Sequence, residues 1–218
     1  MSKNETSSFK AKETGAEVLA AAVAALKRGE VIVLPTETLY GLGADALDAA
    51  AAERVFQLKG RDAANPLPVL VADRAMLASL VTAVAPLAER LIAEFWPGPL
   101  TLVLPARKNL PKPLVNSSGG VAVRISSQPI AQELVKALGR PITATSANPS
   151  GQPPARTVEQ AKRYFAGQIE IFIDGGELTS RTGSTVAEIN GERIRIIRQG
   201  DISREDLQRV AGKNKATL

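Results

Sequence analysis

VIVLPTETLYGLG, residues 31–43, decides the fold. Its first four residues are apolar and mostly β-branched, and Pro35 stops them, which reads as a short buried strand. Hydroxyls at Thr36 and Thr38 and glycines at Gly41 and Gly43 crowd directly behind it. The end of a buried strand is where α/β proteins place ligands. Residues 41–46 also fit G-x-G-x-x-A, but the glycines do not lie directly between a strand and a helix. No acid follows at a strand end about 20 positions on, so a structural turn is the better reading of the glycines. The pattern G-x-x-x-x-G-K-[ST] is absent, so any ATP must be cradled by another arrangement.

Upstream, Thr14 and Glu17 form a capping-box pattern ahead of an Ala/Val/Leu-rich helix, with Gly29 placed as its C-terminal glycine. Downstream, Asp48 is placed to cap a helix running to about Leu58, and 69–72 reads as a strand. A helix over 86–95 is stopped by Trp96-Pro97-Gly98-Pro99. Strand patterns at 100–104, 121–126 and 142–145 are separated by helices around 130–138 and 158–165. Strands at 169–173, 185–189 and 193–198 close the set, before a last helix over 203–210 with Ser203 as cap and Asp206 at its third position. Intermingled strands and helices predict an α/β chain around one sheet, mixed because the late strands follow one another. The expected organisation is a flexible lead-in over 1–13, one domain over 14–211, and a flexible basic tail over 212–218.

Composition narrows the chemistry. The chain has 218 residues, with 44% hydrophobic and 22% charged, and neither cysteine nor histidine. Disulfides, thiolate nucleophiles, Ser-His-Asp triads and Cys- or His-ligated metals are excluded. Catalysis must use carboxylates, cations, hydroxyls, backbone dipoles or an oxygen-held metal. The net charge of +5 suits a nucleotide or RNA partner, and equally suits a basic surface with no partner. No stretch reads as a signal peptide or a membrane span, so the cytoplasm is the expected compartment.

Several short segments carry possible chemistry. Lys59 and Arg61, at a predicted helix end and followed by Asn65, suit a phosphate chain or simply complement the helix dipole. Arg124 lies inside an apolar strand, where its charge needs either a ligand carboxylate or an internal acid. Ser146 and Asn148, after Thr143-Ala144-Thr145, suit ligand hydrogen bonds or an Asx or Ser/Thr turn. Gly183-Ser184-Thr185 and Arg198-Gln199-Gly200 pose the same choice.

Taken together and in order, PTETLYGLG, KGR with NPL, FWPGPLTLVLPA, VAVRIS, TATSANPSG, GSTVAEI and IIRQG resemble the YrdC-like threonylcarbamoyl-AMP synthases over about residues 15–200. The resemblance implies a single-domain α/β fold, a twisted open mixed sheet with flanking helices around a large basic concave cavity. It implies a nucleotidyltransferase that converts L-threonine, bicarbonate and ATP into L-threonylcarbamoyladenylate and pyrophosphate. Lys59, Arg61, Asn65, Ser146, Asn148, Pro154 and Arg198 would hold ATP, with Lys59 and Arg61 neutralising charge. Thr36, Thr38, Arg124, Ala144 and Ser184 would hold threonine, with Arg124 on its carboxylate. Mg²⁺ would be the cofactor, held mainly by the ATP phosphates rather than by a protein cage. No covalent nucleophile is required, which agrees with the missing cysteine and histidine. The product would pass to the tRNA threonylcarbamoyl transferase complex, which modifies adenosine 37 of ANN-decoding tRNAs.

Many relatives carry a histidine where this chain has Leu70, so any such contact with threonine must come from elsewhere. The alternative reading is a protein that binds tRNA, double-stranded RNA or the ribosome through the same basic face. With 4% aromatics, few rings are available for base stacking. The loops at 111–120 and 177–183 are lid candidates. Lys59→Ala or Arg61→Ala is expected to cut turnover far more than stability.

Overall fold

The computed structural model describes residues 8–10, 15–60 and 66–212. Strand β1 is Ser8–Lys10, helix α1 Gly15–Lys27, β2 Ile32–Pro35, β3 Tyr40–Gly43 and α2 Ala49–Lys59. Then come β4 Val69–Leu70, α3 Arg74–Leu80, α4 Pro86–Phe95, β5 Leu100–Pro105, a 3-10 turn at Lys112–Leu114 and β6 Gly120–Arg124. The chain continues through α5 Pro129–Leu138, β7 Ile142–Thr143, β8 Thr145–Ser146, α6 Val158–Phe165, β9 Phe172–Asp174, β10 Thr185–Asn190, β11 Arg193–Arg198 and α7 Arg204–Ala211.

Local chemistry sets the helix ends. Asp48 caps α2, accepting from the amides of Ala50 at 2.9 Å and Ala51 at 3.2 Å. Gly60 ends α2 in the left-handed conformation, φ 56° and ψ 39°, and Gly29 closes α1 at φ 76°. Ser203 accepts from the Asp206 amide at 3.0 Å, as expected for the cap of α7. Thr14, the expected cap of α1, lies outside the described residues. Helix α3 was not expected; Asp73 caps it through the Met76 amide at 2.8 Å.

The mixed α/β class is as expected, but hydrogen bonding divides the strands into two sheets instead of one. The first runs β1-β9-β2-β3-β8 and the second β11-β10-β5-β6-β4-β7. Strand β3, read as a turn from its glycines, pairs antiparallel with β2, Val33 opposite Leu42. Residues 8–10, inside the expected lead-in, pair parallel with β9. Of the expected tail, only Gly212 is described.

The sheets meet where β7 passes into β8, with only Ala144 between them. Thr143 stitches this seam: its hydroxyl accepts from the Ala44 amide at 2.9 Å and donates to the Leu42 carbonyl at 3.2 Å. An isolated antiparallel bridge between Asp45 and Ile142 continues the pairing.

Strand β2 is buried on both faces, and its alternation divides the core. Ile32 and Leu34 join Val18, Leu26, Leu134 and Leu138 under α1 and α5. Val31 and Val33 join the larger cluster with Val55, Leu91, Val123, Phe165 and Leu207. A cavity remains between the two sheets, lined by residues of both.

Candidate functional site

The cavity has a volume of 360 Å³, within the range of about 300–1,000 Å³ common for small-ligand sites. The β2–β3 turn supplies Thr36 and Thr38, and β8 supplies Ser146. From the second sheet come Thr101 on β5, Arg124 at the end of β6, Ser184 just before β10, and Arg198 at the end of β11. Ala144, at the seam, also lines it.

The β2–β3 turn is built on one hydroxyl. Thr36 Oγ1 donates to the Leu39 carbonyl at 2.7 Å and accepts from the amides of Thr38 and Leu39, both at 3.2 Å. The Thr38 hydroxyl stands 3.0 Å from it. Thr36 therefore shapes the turn, while Thr38 Oγ1 accepts from Arg124 Nη1 at 3.4 Å.

Arg124 is 5% exposed and pairs with an internal acid: Nη1 lies 2.5 Å from Glu37 Oε1. The other Glu37 oxygen accepts from the Ser126 hydroxyl. This link ties the β2–β3 turn of one sheet to β6 of the other. The sequence left open whether a ligand or an acid answers Arg124, and Glu37 went unnoticed because 87 residues separate the partners. A guanidinium buried this deeply needs such a partner.

Lys59, 4% exposed, ends α2 with its ammonium turned to the end of β8 and the residues just after it. Nζ donates to the carbonyls of Ser146 at 2.6 Å and Asn148 at 2.9 Å. Asn148 Oδ1 is 3.4 Å away and Ser146 Oγ 3.5 Å. The Asn148 amide donates to the carbonyls of Gln152 at 2.6 Å and Pro149 at 3.0 Å, bracing its own loop. Of the expected ATP set, Ser146 and Arg198 line the cavity, whereas Lys59 and Asn148 sit behind Ser146, and Pro154 is also outside the lining. Arg61 and Asn65 lie outside the described residues. All of the expected threonine set lines the cavity.

At the opposite wall, Arg198 Nη2 donates to Ser184 O at 2.8 Å and Ser184 Oγ at 3.1 Å, and Thr101 donates to Ser184 Oγ at 2.9 Å. The chain can pass here because Gly200 has no side chain: a Cβ would stand 2.3 Å from the Gly183 carbonyl oxygen. Asp201 fastens the 177–183 loop by accepting from Ser180 at 2.8 Å and Thr182 at 2.5 Å.

Sequence reading missed Tyr40, Thr101 and Asn116 as lining residues. Tyr40 is fully buried; its hydroxyl donates to Gly176 O at 2.8 Å and accepts from the Gly175 amide at 2.9 Å. Burial, first, and the neighbouring Asp174 push the phenol well above its ordinary range. Asn116 Oδ1 accepts from the Gly120 amide at 2.7 Å, folding the other lid-candidate loop. Leu70 lines the cavity beside Arg124, its neighbour in strand register.

Among the described residues, no group of three acidic, histidine or cysteine side chains converges to hold a metal. No helix among them is long and apolar enough to cross a membrane.

The family model for Sua5, YciO and YrdC, described as "Telomere recombination", matches residues 24–200. A threonylcarbamoyl-AMP synthase from Pyrococcus abyssi is 40% identical over 188 residues, 86% of this chain and 55% of that protein. The chain thus spans about half the length of that curated relative. An enzyme of the same name from Thiobacillus denitrificans is 41% identical over 170 residues, 78% of this chain and 89% of that one. The crystal structure of P. abyssi Sua5 complexed with L-threonine superposes with a TM-score of 0.89 at 37% identity, covering 96% of this chain and 62% of that one.

Proposed function

From the chain's membership of the Sua5/YciO/YrdC family, we propose that it makes L-threonylcarbamoyladenylate and pyrophosphate from L-threonine, bicarbonate and ATP. The observation that carries this reading is the cavity at the sheet seam. A guanidinium and threonine and serine hydroxyls stand together there, with a second arginine on the far wall. Such a wall suits a small amino acid at one end and a nucleotide at the other. The relative solved with L-threonine supports the amino-acid end.

In the proposed reaction the threonine amine takes carbon dioxide from bicarbonate, and the amine proton leaves with the bicarbonate hydroxide as water, giving an N-carboxylate. A carboxylate oxygen then attacks the α-phosphorus of ATP, and the bond to the pyrophosphate leaving group breaks. Arg124 holds the amino-acid carboxylate beside the hydroxyls of Thr38 and Ser184. Ser146 and Arg198, with Arg61 and Asn65, hold the nucleotide. Lys59 acts from behind, fixing the segment that carries the Ser146 hydroxyl and bringing positive charge near the phosphates. Positioning and charge neutralisation supply the rate, with no covalent intermediate. Glu37, the acid nearest Arg124, is engaged by Arg124 and Ser126 and does not fit a metal-ligand role. Mg²⁺ therefore belongs to this reading as part of the nucleotide substrate. The product would serve tRNA modification in the cytoplasm.

The test is pyrophosphate release from ATP with threonine and bicarbonate each present or omitted. Release that needs both is expected. Release that needs neither means hydrolysis or adenylation of another acceptor. No release, together with salt-sensitive RNA binding, favours the RNA-binding reading.

A further inference from the structure

An arginine offers five N–H donors in a planar fork, and which of them the protein consumes decides which edge a ligand meets. In Arg124, Nη1 has two N–H groups and two partners: Glu37 Oε1 at 2.5 Å and Thr38 Oγ1 at 3.4 Å. Nη1 is thereby spent within the protein. Nε and Nη2 have no protein partner among the described residues, and since every buried polar side-chain atom there has one, these two nitrogens are not closed off from solvent. Arg124 lines the cavity, so this remaining edge is reached from the cavity side. Nε and Nη2 present two parallel N–H groups, the spacing that takes both oxygens of one carboxylate.

Glu37 is itself held from two sides. One oxygen accepts from Arg124 and the other from Ser126. Ser126 is fully buried, its hydroxyl accepts from the Gln128 amide at 3.2 Å, and its carbonyl accepts from the Gln132 side chain at 2.9 Å. The aim of the guanidinium is thus set from the start of α5 through Ser126 and Glu37. We propose that Glu37 is a positioning residue: it commits Nη1 of Arg124 and so leaves the Nε/Nη2 edge as a two-pronged receptor for the α-carboxylate of the amino-acid substrate. This inference rests on the proposed synthase reading and adds to it the residue that orients carboxylate recognition. Recognition through a fork requires placement to within about 0.5 Å and 10–20°. Loss of the Glu37 hydrogen bond therefore weakens carboxylate binding even though it removes a negative charge from beside the site.

The test measures steady-state pyrophosphate release by the full chain, varying threonine and ATP separately, with L-threoninamide as a competitor that lacks the carboxylate. Glu37→Ala is expected to raise the KM for threonine about ten-fold and to change the KM for ATP less than about two-fold. The preference for threonine over threoninamide should shrink with it. Glu37→Gln restores an oxygen acceptor for Nη1 and should recover most of the threonine KM. Should Glu37→Ala fail to fold, Ser126→Ala loosens the same carboxylate while keeping the ion pair, and should show the same split in weaker form. A merely structural role would lower the melting temperature and move both KM values together, or neither, and would leave the threonine-to-threoninamide ratio unchanged; either result overturns the proposal. Wild-type chain that releases no pyrophosphate would instead remove the synthase reading and this inference with it. Active wild type with an unaltered Glu37→Ala threonine KM would remove the inference alone.

Discussion

Lys59 and Arg124 are both buried cations beside one cavity, yet the protein holds them differently. Arg124 is answered by a side chain, Glu37, from the opposite sheet. Lys59 makes its shortest contacts with main-chain carbonyls of Ser146 and Asn148, on the segment it supports, and longer ones with the side chains of the same two residues. A side-chain partner can be exchanged by mutation and leaves the backbone in place. A main-chain partner cannot be exchanged, so the cation and the path of the chain stand or fall together. The Arg124 end is therefore a tunable receptor, and the Lys59 end is part of the scaffold as well as of the site.

The largest effect should come from Lys59→Ala. It strands two main-chain acceptors and should cost about 4 kcal/mol in denaturant unfolding, with turnover falling as well. This revises the sequence-based expectation that turnover would fall far more than stability. Unchanged unfolding with lost turnover would return Lys59 to a purely electrostatic role and break the comparison. Arg124→Gln should come next, at about 3 kcal/mol, because it leaves Glu37 buried without its cation. The Arg124→Gln/Glu37→Gln double variant should lose less than the sum of the single variants by about 2 kcal/mol. Additive losses would mean that the pair is not coupled.

A neutral anchor calibrates both ends. Tyr40→Phe removes the hydroxyl bonded to Gly175 and Gly176 and should cost about 1.5 kcal/mol near neutral pH. The folded-state pKa of Tyr40 is raised above its unfolded value of about 10, so its contribution is complete below that pH and is lost as pH rises beyond it. Melting curves from pH 8 to 11 should show wild type losing stability above pH 10 faster than Tyr40→Phe. Parallel curves would mean that the phenol ionises as freely in the folded protein as in the unfolded chain.

What was legible in the sequence was mostly local. Helices at Pro86–Phe95 and Val158–Phe165 and the strand at Arg193–Arg198 lie where pattern and stop signals placed them. The caps at Asp48 and Ser203 held because a side chain bonding its own next turn needs no other part of the fold. Strand β3 was missed because Gly41 and Gly43 look like turn residues. In the folded chain a Cβ on Gly43 would stand 2.6 Å from Leu34 Cδ2, so that glycine serves close packing within a sheet. The ordered motifs brought together the right family and most of the cavity wall, but composition and spacing alone left each site residue with a structural alternative.

For Thr36 and Asn148 that structural role is visible, as a turn and a loop brace, while Thr38, Ser146, Arg124 and Arg198 line the cavity. By itself the sequence determined the mixed α/β class, the ends of helices such as α2 and α7 and a chemistry without cysteine or histidine, since these follow from neighbours along the chain and from residues simply absent. Only the tertiary structure decided that the strands part into two sheets, that Glu37 answers Arg124 and that Lys59 grips the backbone behind Ser146. Each of these joins residues distant in sequence, 87 apart in both the Arg124–Glu37 and the Lys59–Ser146 contacts, and packing between the sheets, not periodicity along them, chooses such partners.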